Sequence, residues 1–134
     1  MARKNFSKKR EAIYEAICST KSHPSAEWVY NTLKPEYPDL SLGTVYRNMN
    51  GFKDDGMILS VGSVNGQERF DGNTKPHSHF ICNRCGDVID IENVPYNMQA
   101  DEVVRNVSNC DIDYHLTFFY GICGKCKNIE EDNN

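Results

Sequence analysis

Apolar residues recur at helical intervals over the first 56 positions of the chain, and the segment that follows shifts to short extended runs. After Ser7, which can cap a helix, Ile13, Ala16 and Ile17 form an i, i+3, i+4 stripe. Ser25 caps a second stretch in which Ala26, Val29, Tyr30 and Leu33 share a face, and Pro35 and Pro38 end it. Ser41 opens a third, with Leu42, Val45, Met49 and Phe52 turned inward and Gly56 as its stop. Met57 to Asp71 then reads as two strands joined at Asn65-Gly66, because both central positions of a type I′ turn need positive φ.

Three helices followed by a two-stranded wing make the layout of a winged helix-turn-helix. In that geometry the third helix enters the major groove by its N-terminal part. Its candidate DNA-facing residues are Ser41, Gly43, Thr44, Tyr46, Arg47 and Asn48. Arg47 offers a bidentate pair to guanine or a clamp on a phosphate. The small residues at 41, 43 and 44 let the backbone come close.

The second half changes character. GDVIDIE (86–92) reads as a strand, and Pro95 is expected to start a helix with Tyr96, Ala100, Val103, Val104 and Val107 on one face. A last strand over 111–123 alternates Ile112, Tyr114, Leu116, Phe118 and Tyr120 against His115, Thr117 and Phe119. So small a core needs a metal staple, a partner subunit or both. The tail NIEEDNN is expected to be disordered. The fold class is α+β: a winged-helix DNA-binding domain over 1–72, then a small α/β domain over 73–134.

Net charge is −4, unevenly spread. Up to Gly56 there are nine basic and seven acidic residues, and beyond it six basic and twelve acidic. Arg3, Lys4, Lys8, Lys9 and Arg10 form a short basic arm. A polyanion-facing front and an acidic back follow. No run approaches the roughly 20 apolar residues of a membrane span, and no apolar segment follows the basic N-terminus as in a signal peptide. A cytoplasmic location is expected, where six cysteines are not read as disulfides.

Four cysteines form two CxxC knuckles, Cys82/Cys85 and Cys123/Cys126, bracketing 37 residues. Together they read as one closed, structural zinc site that ties the last strand back to the first. A redox CxxC would stand alone at a helix N-terminus. Cys18 is expected in the core beside Ile17, and Cys110 receives no role. His77 and His79 are then left over. At alternate positions of a strand their rings project from one face. Asp71, Asp90 and His23 are candidate partners, in a His/Asp set that suits Fe²⁺ or Mn²⁺; the competing reading is a surface His-x-His. No HExxH or similar motif supports a metal-dependent hydrolase, and a purely structural zinc module leaves the wing and the His-x-His strand unexplained.

HPSAEWVY, TVYRN, ERFD, HSHFICNRCGDVID and YGICGKC, in that order, resemble motifs of the ferric uptake regulator family of metal-dependent bacterial repressors. The likeness runs from about Ser7 to Lys127. It implies a homodimer on a DNA operator, not an enzyme, with a four-cysteine zinc and a regulatory metal between the two domains. By motif the regulatory ligands are His23, Asp71, His77, His79 and Asp90. Asp at both 71 and 90 is similar to the peroxide-sensing branch. That likeness implies Fe²⁺-dependent oxidation of His23 or His77 and release from DNA. The alternative within the family is an iron- or zinc-responsive repressor. A further metal site found in many members would need other residues at Pro76 and Ser78, so it is expected to be absent. His115 is then a hydrogen-bonded histidine of the sheet.

Overall fold

The computed structural model describes residues 2–132, and side chains over residues 8–129. The Arg3, Lys4 and Ser7 side chains and the end of the tail, Asn133 and Asn134, lie outside the described residues. The chain divides into two compact units, Met1–Thr74 and Lys75–Asn134.

The first unit runs α1 (Ala2–Cys18), α2 (Ala26–Leu33), α3 (Leu42–Asp54), β1 (Leu59–Val64) and β2 (Gln67–Asp71). Ile13, Ile17, Val29, Val45, Met49, Phe52, Ile58 and Phe70 form its buried core, so each helical stripe meets the others and the wing. Ser25 Oγ accepts from Trp28 N at 3.1 Å and Ser41 Oγ from Thr44 N at 3.1 Å, capping α2 and α3 as their sequences indicate. At the end of α3, Met57 N donates to Phe52 O and Gly56 N to Lys53 O, the paired bonds of a Schellman stop. Gly56 sits there at φ +75°, where a side chain is strained. The hairpin turns at Asn65 (φ 53°) and Gly66 (φ 80°), as a type I′ turn requires.

Three expectations change here. α1 begins at Ala2, so Ser7 lies inside the helix and the basic segment forms its first turns instead of an arm ahead of it. Lys and Arg are good helix formers, which the cap reading overlooked. Cys18 is exposed: it is the last residue of α1, and the buried stripe stops at Ile17. Leu42, in the first turn of α3, is only half-buried.

The second unit places β3 (Ser78–Cys82) between β4 (Val88–Ile91), antiparallel, and β5 (Thr117–Gly121), parallel. A parallel pair needs a crossover, and α4 (Met98–Ser108) supplies it. The helix starts at Met98 with Asn97 Oδ1 accepting from Ala100 N, not at Pro95. The final strand is shorter than its alternation suggests, so Ile112, Tyr114 and His115 precede it. α5 (Gly124–Asp132) takes up most of the tail expected to be disordered. On α4, Val103, Val104 and Val107 are exposed, and only Asp101 is buried. Among the described residues no helix is long and apolar enough to cross a membrane.

Candidate metal centres and nucleic-acid interface

Parallel pairing of β3 with β5 sets Cys82 opposite Gly121, which brings the two knuckles together at one end of the sheet. The first is a tight turn in which Gly86 N donates to Cys82 O, with Gly86 at φ +76°. The second leads into α5, whose first turn carries Cys126. Backbone N–H groups of Cys85 and Cys123 donate to Cys82 Sγ at 3.4 and 3.3 Å. They hold its thiol down at about 6, so Cys82 is ready as a thiolate. Burial pushes the Cys126 thiol up to about 12, and only a cation makes its thiolate favourable there.

The four sulfur atoms lie within 4.8 Å of one another. Cys85 Sγ and Cys123 Sγ are 3.7 Å apart. A tetrahedron with metal–sulfur bonds near 2.3 Å has edges of about 3.8 Å, so the cage fits one tetrahedral ion.

The His/Asp residues form two sets, one in each unit. In the first, His23 Nε2 lies 3.2 Å from Asp71 Oδ2, and both residues are buried. His23 has φ +58°, uncommon for a residue with a side chain. Its loop is stapled to β2, since Phe70 N donates to Pro24 O and Arg69 donates to the carbonyls of Ser22 and His23. Asp71 closes β2, and its Oδ1 accepts from Asn73 N at 2.8 Å. Arg69 was not singled out from the sequence, because nothing in its spacing says that it grips a loop 46 residues away.

In the second unit the register pairs His79 with Asp90. Asp90 Oδ1 lies 2.9 Å from His77 Nε2 and 3.3 Å from His79 Nε2. The two rings are 4.3 Å apart between centroids, although His77 lies one residue before β3. His77 Nδ1 sits 2.7 Å from Lys75 O, which only accepts, so that nitrogen carries a proton. Nε2 then faces the Asp90 carboxylate either as the second N–H of an imidazolium or, in the neutral ring, as a lone pair that a cation would bridge to that oxygen. Each set by itself supplies fewer ligands than a closed site.

His115 is hydrogen-bonded as expected but lies outside the sheet: its Nδ1 is 2.6 Å from Asp101 Oδ1, and its ring stacks on Tyr96 at 4.4 Å. The Tyr96 hydroxyl donates to the other Asp101 oxygen at 2.6 Å.

On α3, Ser41, Gly43, Tyr46 and Arg47 are exposed and Thr44 is half-buried. Asn48 does not share that surface: it is buried, and its amide donates to Thr44 O at 2.9 Å. Asn48 lies five positions after Gly43, which turns it towards Met49 and the core. Ser41 is spent as the cap, and Arg47 Nη2 rests on Thr44 Oγ1 at 3.1 Å. Tyr46 donates to Glu27, a residue for which the sequence offered no role.

The ferric uptake regulator family model matches residues 3–119. A peroxide-responsive repressor, PerR, of Staphylococcus epidermidis is 36% identical over 124 residues, 92% of this chain and 81% of that protein. Among solved structures, a Campylobacter jejuni peroxide stress regulator superposes with TM-score 0.76 at 22% identity, covering 91% of each chain. The Helicobacter pylori ferric uptake regulator superposes with TM-score 0.75 at 22% identity, covering 90% of this chain and 80% of that one. Motif order, fold and this relationship over most of its length agree, and the chain belongs to the ferric uptake regulator family.

Proposed function

We propose that this protein is a metal-dependent, DNA-binding transcriptional repressor that senses peroxide by oxidation of a ligand histidine. The observation that carries the reading is the pairing of two imidazole Nε2 atoms with one Asp90 oxygen, beside an unrelated sulfur cage. Sulfur and N/O donors are kept apart, so a soft and a harder ion are each served. Cys82, Cys85, Cys123 and Cys126 would hold Zn²⁺, a structural staple for a unit with little core of its own. His23, Asp71, His77, His79 and Asp90 would together hold Fe²⁺ or Mn²⁺. Asp at both acidic positions and the identity with a peroxide-responsive repressor support the peroxide branch.

Bound Fe²⁺ would supply the reduction of peroxide that generates an oxidant beside the ligands. By the family likeness, His23 and His77 would be the rings that take up oxygen. A metal that drew ligands from both units would favour one arrangement of wing and dimer core, and losing one histidine would release it. The exposed valines of α4 favour a homodimer through that helix, and the repressor would act on double-stranded operator DNA in the cytoplasm.

The test is intact-protein mass spectrometry with peptide mapping after dilute peroxide on the Fe²⁺ and Mn²⁺ forms. Peroxide sensing predicts one added oxygen on His23 or His77 in the Fe²⁺ form alone, with loss of DNA binding. No histidine oxidation, with DNA binding intact, moves the reading to an iron- or zinc-responsive repressor. DNA affinity unaffected by chelation or by His77→Ala would defeat metal control altogether.

A further inference from the structure

Tyr46 and Arg47 stand side by side on the outer face of α3, one turn beyond Gly43. Their side chains are pre-set in different ways. Arg47 rests on Thr44 of its own helix, whereas Tyr46 reaches across to α2, where its hydroxyl donates to Glu27 Oε1 at 2.5 Å. A phenol has one proton, so the only hydrogen-bond donor of Tyr46 is used inside the protein. Glu27 in turn lies in the first turn of α2, just after the Ser25 cap, where the helix dipole favours a carboxylate.

A carboxylate is out of place on a surface meant to meet phosphates, since it opposes the attraction on which most of the affinity depends. Its link to Tyr46 gives it a use. With the hydroxyl tied back and the residue still 39% exposed, what Tyr46 offers a groove is the apolar side of its ring. In the major groove the matching apolar feature is the thymine methyl.

We propose that Glu27 is a positioning residue for sequence reading: it holds the Tyr46 ring so that the ring reads a thymine methyl by apolar contact. This rests on the DNA-binding reading above. Glu27 touches no base itself, and its effect passes through the orientation of Tyr46. The Tyr46 hydroxyl is held un-ionised by the same bond, its pKa raised chiefly by Glu27.

The experiment is in vitro selection from a random-sequence DNA duplex pool with the full-length Mn²⁺-loaded protein, comparing wild type, Glu27→Gln, Glu27→Ala and Tyr46→Phe. Fluorescence-anisotropy competition on the enriched duplexes and thermal melts accompany it. Glutamine keeps the acceptor but removes the charge, so the Gln/Ala comparison separates positioning from electrostatics. Wild type and Glu27→Gln should enrich the same thymine in each half-site. Glu27→Ala and Tyr46→Phe should each lose that preference by about 5-fold or more, the scale of one base contact, with melting temperatures unchanged. Identical base profiles for Glu27→Ala and wild type would overturn the proposal. So would a Glu27→Ala variant with a new preference that Tyr46→Phe lacks, since the freed hydroxyl would then be the reading group. A wild-type protein that enriches no sequence would overturn the DNA-binding reading itself, and the inference with it.

Discussion

Cys85 Sγ and Cys123 Sγ lie 3.7 Å apart although they are 38 positions apart in sequence, and the crossover helix α4 lies between them in the chain. The cage therefore closes the longest loop of the second unit, where a cross-link removes most freedom from the unfolded chain. A structural zinc contributes about 10–16 kcal/mol in small metal-folded domains, more than the stability of many whole domains. If the cage holds zinc as proposed, Cys123→Ser, at a buried cysteine of the cage, should abolish zinc retention in native mass spectrometry. It should also expose the β3 and β5 amides to rapid hydrogen exchange. Cys110→Ser, at an exposed thiol, should change stability by less than about 0.5 kcal/mol. Protected β3 and β5 amides in a zinc-free Cys123→Ser variant would show that the fold does not depend on the cage.

Arg69 grips the carbonyls of Ser22 and His23, and so holds the loop that presents His23 to Asp71. Without it, the left-handed backbone at His23 loses two side-chain ties to β2 and keeps the bond from Phe70 N to Pro24 O. Arg69→Ala should weaken Mn²⁺ binding by about 10- to 100-fold, the usual cost of losing a group that orients a ligand. Arg69→Lys should recover only part, because an ammonium lacks the planar fork that serves two carbonyls at once. Calorimetric titration with Mn²⁺ makes the comparison, and wild-type affinity in Arg69→Ala would show that the loop is held by other means.

What the sequence disclosed follows from how local each signal is. Caps at Ser25 and Ser41, the Asn65-Gly66 turn and the Gly56 stop are set within a few residues, and all four stand where the pattern puts them. The CxxC pairs are equally legible, because a motif that occurs twice favours one shared metal over a redox site, which would stand alone. The boundaries in the second unit were not. Alternation from Ile112 to Tyr120 imitates a long strand, but β3 ends the parallel pairing at Ser78 opposite Thr117. Of the apolar face expected for the crossover helix, Val103, Val104 and Val107 lie exposed on α4, while Tyr96 precedes the helix and stacks on His115. Long-range side-chain grips, Arg69 on His23, Glu27 on Tyr46 and Asp101 on His115, leave no trace in spacing.

Gly56 and Gly51 should answer oppositely to alanine. Gly56 holds φ +75° with nothing within 4 Å of an added Cβ, so its cost is purely conformational. Gly56→Ala should lose about 1–2 kcal/mol. Gly51 lies inside α3 with equal room and an ordinary helical backbone. Gly51→Ala should gain about 0.5–1 kcal/mol from helix propensity. Urea denaturation of the two variants tests both signs, and a stabilised Gly56→Ala would refute the account of the helix stop.

Asp101 makes acid stability the most direct probe of the second unit beyond its metal cage. The Tyr96 hydroxyl, and then His115, hold its carboxyl below its ordinary value, against an opposing effect of burial. Because the group is more acidic folded than unfolded, its contribution is complete above the unfolded value near 4. It is lost as pH falls from there through the folded value. Two charge-assisted hydrogen bonds, from Tyr96 and His115, to a side chain only 11% exposed carry that contribution. Asp101→Asn should therefore lower the melting temperature at pH 6 and have less effect at pH 3, where the wild-type carboxyl is protonated too. Melting curves from pH 3 to 7 check this. A wild-type to Asp101→Asn difference that stays constant across that range would show that Asp101 acts by shape and hydrogen bonding alone, without its charge.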